Sequence, residues 1–88
     1  MKLSETVTMM NSEDYKERFK AEYAQLVIRY RGLCKMLEKW DNGTLEFTPT
    51  CPRSTYDIQT NAMKDYIAIL EARAVMEHID LSDLDLKD

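Results

Sequence analysis

The sequence predicts an all-α fold: an antiparallel helical hairpin with an ordered irregular connecting loop, assembled as a homo-oligomer. Three observations lead there. Only two glycines and two prolines occur in 88 residues, too few for a turn-rich sheet. Aromatic and aliphatic residues recur over a long stretch at the spacing of a helix seam. The segment WDNGTLEFTPTCPRST, residues 40 to 55, then gathers both prolines and one glycine and divides the helical pattern in two.

Residues 1–11 show no sustained period and read as a flexible N-terminal arm. The run NSEDY supplies Asn11 or Ser12 as an N-cap, with Glu13 and Asp14 in the first turn, where the helix dipole favours negative charge. From there Phe19, Tyr23, Leu26, Tyr30, Leu33, Leu37 and Trp40 follow at spacings of 4, 3, 4, 3, 4 and 3, the seam of a helix packed lengthwise on another. Gly32 interrupts this run and suggests a bend or a close helix contact. Asn42 and Gly43 suit the left-handed conformation that ends a helix.

Ser54 with Asp57 resembles a capping box, and the second helix is expected over residues 54–79. At 100° per residue, Ile58, Ala62, Ile69, Ala72, Met76 and Ile79 fall on one side of it, and Met63, Ile67, Leu70 and Ala74 fall nearly opposite. One neighbouring helix covers only one of these stripes. Self-association, most simply as a dimer, would bury the other, with Met63, Ile67, Leu70 and Ala74 as one choice of interface and the opposite stripe as the alternative. The helical hairpin domain spans residues 12–79, and residues 80–88 form an acidic C-terminal tail expected to be disordered.

At 10.3 kDa the chain has room for one small domain. No stretch approaches the apolar length of a membrane span, and the start lacks a signal-peptide core. Cys34 and Cys51 lie far apart, with no CxxC or HxxxH spacing, so free thiols in a reducing cytoplasm are expected and a metal site is not. The net charge of -4 excludes nonspecific DNA binding. Residues 15 to 40 nevertheless carry a local excess of Lys and Arg.

No catalytic constellation emerges, and the chain is not expected to be an enzyme. His78 is the single histidine, and some 24 residues of helix, about 36 Å, separate it from Cys51, Ser54 and Thr55. Binding fits better. The loop brings aromatics, hydroxyls and Arg53 to the start of a helix, a set suited to an anion and a flat ring. Its alternative role is that of a rigid connector whose hydroxyls cap backbone. Arg73 lies between the two stripes of the second helix and needs solvent, an acidic partner or a ligand.

The stretches YKERFKAEY, LEKWDNGTLEFTPTCP, AMKDY and LEARAVMEHI resemble a family of small proteins of tailed phages and prophages of gut and Firmicute bacteria, over residues 14 to 79. The resemblance implies a phage accessory protein in the cytoplasm of the bacterial host. Such proteins resemble antagonists of bacterial immunity, so a non-catalytic sponge for a nucleotide immune signal is expected, the alternatives being an inhibitor that binds a host defence or regulatory protein directly and a structural or regulatory phage protein. For the sponge, Arg29 and Arg53 would hold phosphate, Trp40 and Tyr56 would wall the base and ribose, and Arg73 would contribute from the second helix. No cofactor is expected.

Overall fold

The computed structural model describes residues 1–86, and the described residues are helical without any strand. A 3-10 turn, Leu3–Thr6, leads into a short α1, Val7–Met10; two long helices follow, α2 at Tyr15–Asp41 and α3 at Arg53–Met76. The long helices run antiparallel, as the contacts between them require. Tyr15 donates to Glu77 at 2.6 Å, Tyr23 to Glu71 at 2.7 Å, and Arg53 to Asp41 at 3.0 Å. As one partner advances along α2, the other retreats along α3.

The start of α2 differs from the expected one. Asp14 is the N-cap, its side chain accepting from the Lys16 N–H at 2.9 Å. Asn11 instead closes α1, donating its backbone N–H to the Val7 carbonyl, and Ser12 Oγ accepts from the Asp14 N–H at 3.0 Å. Because residues 7–10 already form a helical turn, the chain must bend before α2 can begin.

The end of α2 follows the sequence. Gly43 has φ 74°, Thr44 N–H bonds the Lys39 carbonyl at 2.9 Å and Gly43 N–H bonds the Trp40 carbonyl at 3.0 Å, the paired bonds of a Schellman cap. A Cβ added at Gly32 would meet nothing within 4 Å, so the close helix contact suggested there is absent. Pro52, not Ser54, precedes the first turn of α3, and no side chain caps that turn. Asp57 is drawn instead to the Arg53 guanidinium, at 2.8 Å.

Helix α3 stops at Met76 and not at residue 79, because His78 takes φ 57°. Its N–H bonds the Val75 carbonyl, and the Ile79 N–H bonds the Ala74 carbonyl at 2.8 Å, forming a second Schellman cap. The turn tucks Ile79 against Phe19, Leu70 and Ala74, with Tyr23, Leu26 and Leu81 packed around them. This is the main core. The stripe Met63, Ile67, Leu70 and Ala74 therefore faces α2 within the chain, and it is not free to form an interface. The opposite stripe is exposed as far as the helix runs, with Ile58 at 72%, Ile69 at 57% and Met76 at 70% of full exposure, whereas Ile79, expected on the same side, is buried because the chain leaves the helix before it.

Residues 1–11 also differ from the expected flexible arm. The 3-10 turn and α1 pack on α2, and Thr6, fully buried, donates Oγ1 to the Leu3 carbonyl at 2.7 Å and accepts from Gln25 Nε2 at 2.9 Å. Ala21, one turn before Gln25 on the same face, is also fully buried. At the other end, Asp83 meets Lys20 at 2.9 Å and Asp80 accepts from the Ser82 N–H and hydroxyl, so the start of the acidic tail is docked. Lys87 and Asp88 of that tail lie outside the described residues.

Candidate ligand cleft

At the loop end of the hairpin, α2 and α3 part to leave an open cleft of about 430 Å³. Tyr30, Cys34, Leu37, Glu38, Asp41 and Asn42 line one wall; Arg53, Asp57, Thr60 and Lys64 line the other. The spacing explains the two walls. Positions 30, 34, 37 and 41, and again 53, 57, 60 and 64, recur at intervals of 4, 3 and 4, so each set occupies one face of its helix.

Arg53 dominates the electrostatics. Its Nε and Nη2 donate to both oxygens of Asp41 at 3.0 and 3.1 Å, and its Nη1 donates to Asp57 at 2.8 Å. The guanidinium holds the Asp41 carboxyl below its ordinary value, and Asp41 in turn raises the arginine further. Arg53 also lies 6.0 Å from the Trp40 ring centroid, and Trp40 meets Tyr56 edge-on at 5.8 Å. Geometry of this kind fixes a planar donor fork, leaving one N–H on each terminal nitrogen without an acceptor among the described residues. The uncapped first turn of α3 adds backbone N–H groups beside it.

Two tyrosines stand close to thiols. Tyr30 is raised above its ordinary value, first by hydrogen bonding with Cys34 and then by desolvation. Tyr56 is raised first by desolvation and then by Cys51. Both cysteines are free thiols. Lys64 is exposed and has no side-chain partner among the described residues.

Of the five residues expected at a ligand site, the fold brings Trp40, Arg53 and Tyr56 together. Only Arg53 among them lines the cleft, the two rings packing around it. Arg29 is exposed, unpaired among the described residues, and lies eleven residues from Trp40, about 16 Å along α2. Arg73 sits twenty residues from Arg53, about 30 Å along α3. There it donates to Glu77 at 3.0 Å and to the Tyr15 hydroxyl at 2.9 Å, with its guanidinium 5.0 Å from the Phe19 ring. It serves the opposite end of the hairpin. No group of acidic, histidine and cysteine side chains among the described residues has a metal-binding arrangement, and none of their helices is long and apolar enough to cross a membrane.

The family model of the Sequestin family matches residues 13–76 of the 88. The chain belongs to the Sequestin family. The Sequestin match runs from the residue before the Asp14 cap to the last residue of α3, so it covers the hairpin and every residue of the cleft. The N-terminal arm and the segment after Met76 lie outside it. No curated protein and no solved structure matches the chain.

Asp41, Asp57, Thr60 and Lys64 were not singled out in the sequence as site residues. For Asp57, Thr60 and Lys64 the signal that would have found them is the interval of 4, 3 and 4 running on from Arg53. It marks a polar stripe along the helix that starts at the irregular loop.

Proposed function

We propose that this Sequestin family chain binds a small phosphorylated nucleotide signal in the cleft and holds it without cleaving it. The observation that carries the reading is the mixed lining around Arg53, within a family whose name denotes sequestration. A volume of about 430 Å³ falls in the range of small-molecule sites. Arg53, Lys64 and the uncapped turn of α3 suit phosphate oxygens. Glu38, Asp41 and Asp57 suit the hydroxyls of a ribose or the amine of a base, and Tyr30 offers an aromatic face. A bare phosphate would meet those carboxylates with repulsion; a nucleotide satisfies both kinds of group.

Trp40 and Tyr56 act in this reading by holding the Arg53 fork in place. Arg29 and Arg73 stand outside the single-chain cleft and would join it only from another copy. The setting is a phage accessory protein that lowers the concentration of an immune signal in the cytoplasm of its bacterial host.

A thermal-shift screen of the whole chain against cyclic dinucleotides, cyclic trinucleotides and ADP-ribose derivatives tests the reading, because a ligand bound only to the native state raises the melting temperature. Arg53→Ala should weaken the responding ligand about tenfold to a hundredfold, and Arg73→Ala should leave its affinity unchanged. Silence across the panel, with specific capture of one host protein, would overturn the sponge in favour of an inhibitor. Recovery of an altered nucleotide would replace it with an enzyme.

A further inference from the structure

On the outer face of α3, Ile58, Ala62, Asp65, Ile69, Ala72 and Met76 succeed one another at intervals of 4, 3, 4, 3 and 4. That is the heptad spacing of a helix-pairing seam. It lies on the side away from Leu70 and Ala74, which already pack on α2. Ile58, Ile69 and Met76 remain more than half exposed, and Val75 beside them is 77% exposed. The face therefore has the sequence of a seam and no partner among the described residues.

We propose that this face is a two-fold dimer interface, in which α3 packs antiparallel against α3 of a second copy. The area agrees with that occupant. The chain exposes 6185 Å², against about 5,400 Å² for a compact monomer of this mass. The surplus over the whole chain, about 800 Å², is of the size each partner contributes to a standard interface. Its radius of gyration is 15.0 Å, where a compact chain of this length has about 12 Å; the excess surface belongs to an elongated hairpin.

Asp65 decides the direction. In a parallel, in-register pair it would face its own copy, bringing two carboxylates together in an otherwise apolar seam. In an antiparallel pair each Asp65 meets the apolar seam of the partner's helix and can reach the solvent at its edge. A single polar residue in such a seam restricts register at a cost in affinity. With the two-fold axis at the middle of the seam, Asp65 of one copy lies opposite Ile69 of the other, Ile58 opposite Met76 and Ala62 opposite Ala72.

The dimer does not depend on the identity of any ligand, and it is tested without one. Sedimentation equilibrium of the full chain at micromolar concentration should give twice the 10.3 kDa chain mass. Ile69→Asp should give a helical monomer, and Asp65→Leu, which removes the one charge of the seam, should tighten the dimer about tenfold or more. Phe47→Asp, at an exposed apolar site off the seam, should leave assembly unchanged. If Ile69→Asp fails to fold, Met76→Lys takes its place, since Met76 is 70% exposed and contributes little to the monomer. A wild-type monomer, or a dimer indifferent to changes at residues 65, 69 and 76, would overturn the proposal.

Discussion

Two backbone positions have their residue types in the opposite order from what their conformations favour. Gly32 lies in the middle of α2 with open space around it, whereas His78 occupies the left-handed position that caps α3. Gly32→Ala should stabilise the chain by about 0.5 to 1 kcal/mol. His78→Gly should also stabilise it, by relieving the left-handed strain of a side-chain-bearing residue. Both changes are read from denaturant midpoints at constant m. Titration gives a second test at this scale. Burial, with a hydrogen bond to Glu71, pushes Tyr23 up to about 12. The stability tied to that neutral phenol is complete below about 10, its value in an unfolded chain, and is lost as pH rises through about 12. Tyr23→Phe should flatten the alkaline limb of the thermal midpoint against pH. The acid limb has the opposite sign. Glu77 is lowered by Tyr15 and Arg73, and Asp41 by Arg53; their contributions are present above ordinary carboxylate values and fade as pH falls through the lower folded ones. Arg53→Ala should make the acid limb shallower.

At the scale of elements, how much was legible depended on length. The seam of α2 spans many turns, so periodicity located the helix and the face it turns to α3, and Gly43 marked its end; Ala21, Ala24 and Val27, also buried, lie off that seam. The arm was not legible, because four residues each of 3-10 and α structure are too short to display a period, and they are held by one buried threonine and by packing on α2. Periodicity found both stripes of α3, but which one faced α2 depends on the relative rotation of the two helices, a long-range property. The cleft was hidden for the same reason: Arg53 was visible beside the loop, while its partners Asp41 and Asp57 became neighbours only when α2 and α3 were set side by side. The assignment of the inner stripe has a direct check. Leu70 is fully buried, and Leu70→Ala should cost about 2 to 5 kcal/mol, much of the roughly 4 to 13 kcal/mol expected for a domain of this size. Ile58→Ala, on the exposed stripe, should leave the monomer's stability nearly unchanged. Deleting residues 1–11 should lower the melting temperature and still leave a helical hairpin, as circular dichroism would record.

For the whole molecule, the hairpin separates its tasks by position. Phe19, Leu70, Ala74 and Ile79 hold the end where the start of α2 meets the end of α3, the outer face of α3 offers a seam to a second copy, and the loop end carries the cleft around Arg53. In such a dimer an antiparallel pairing of α3 would place the two clefts toward opposite ends of the assembly, so occupancy of one should leave the affinity of the other unchanged. A sponge also requires that what enters the cleft come out again chemically unaltered. The most direct measurement is therefore to saturate the full chain with the nucleotide that raises its melting temperature, remove the unbound fraction, denature the protein, and determine the mass and amount of what is released. The expected release is the same nucleotide, intact, at one per chain, with Arg53→Ala retaining markedly less. A cleaved product, or retention that Arg53→Ala leaves untouched, would contradict it.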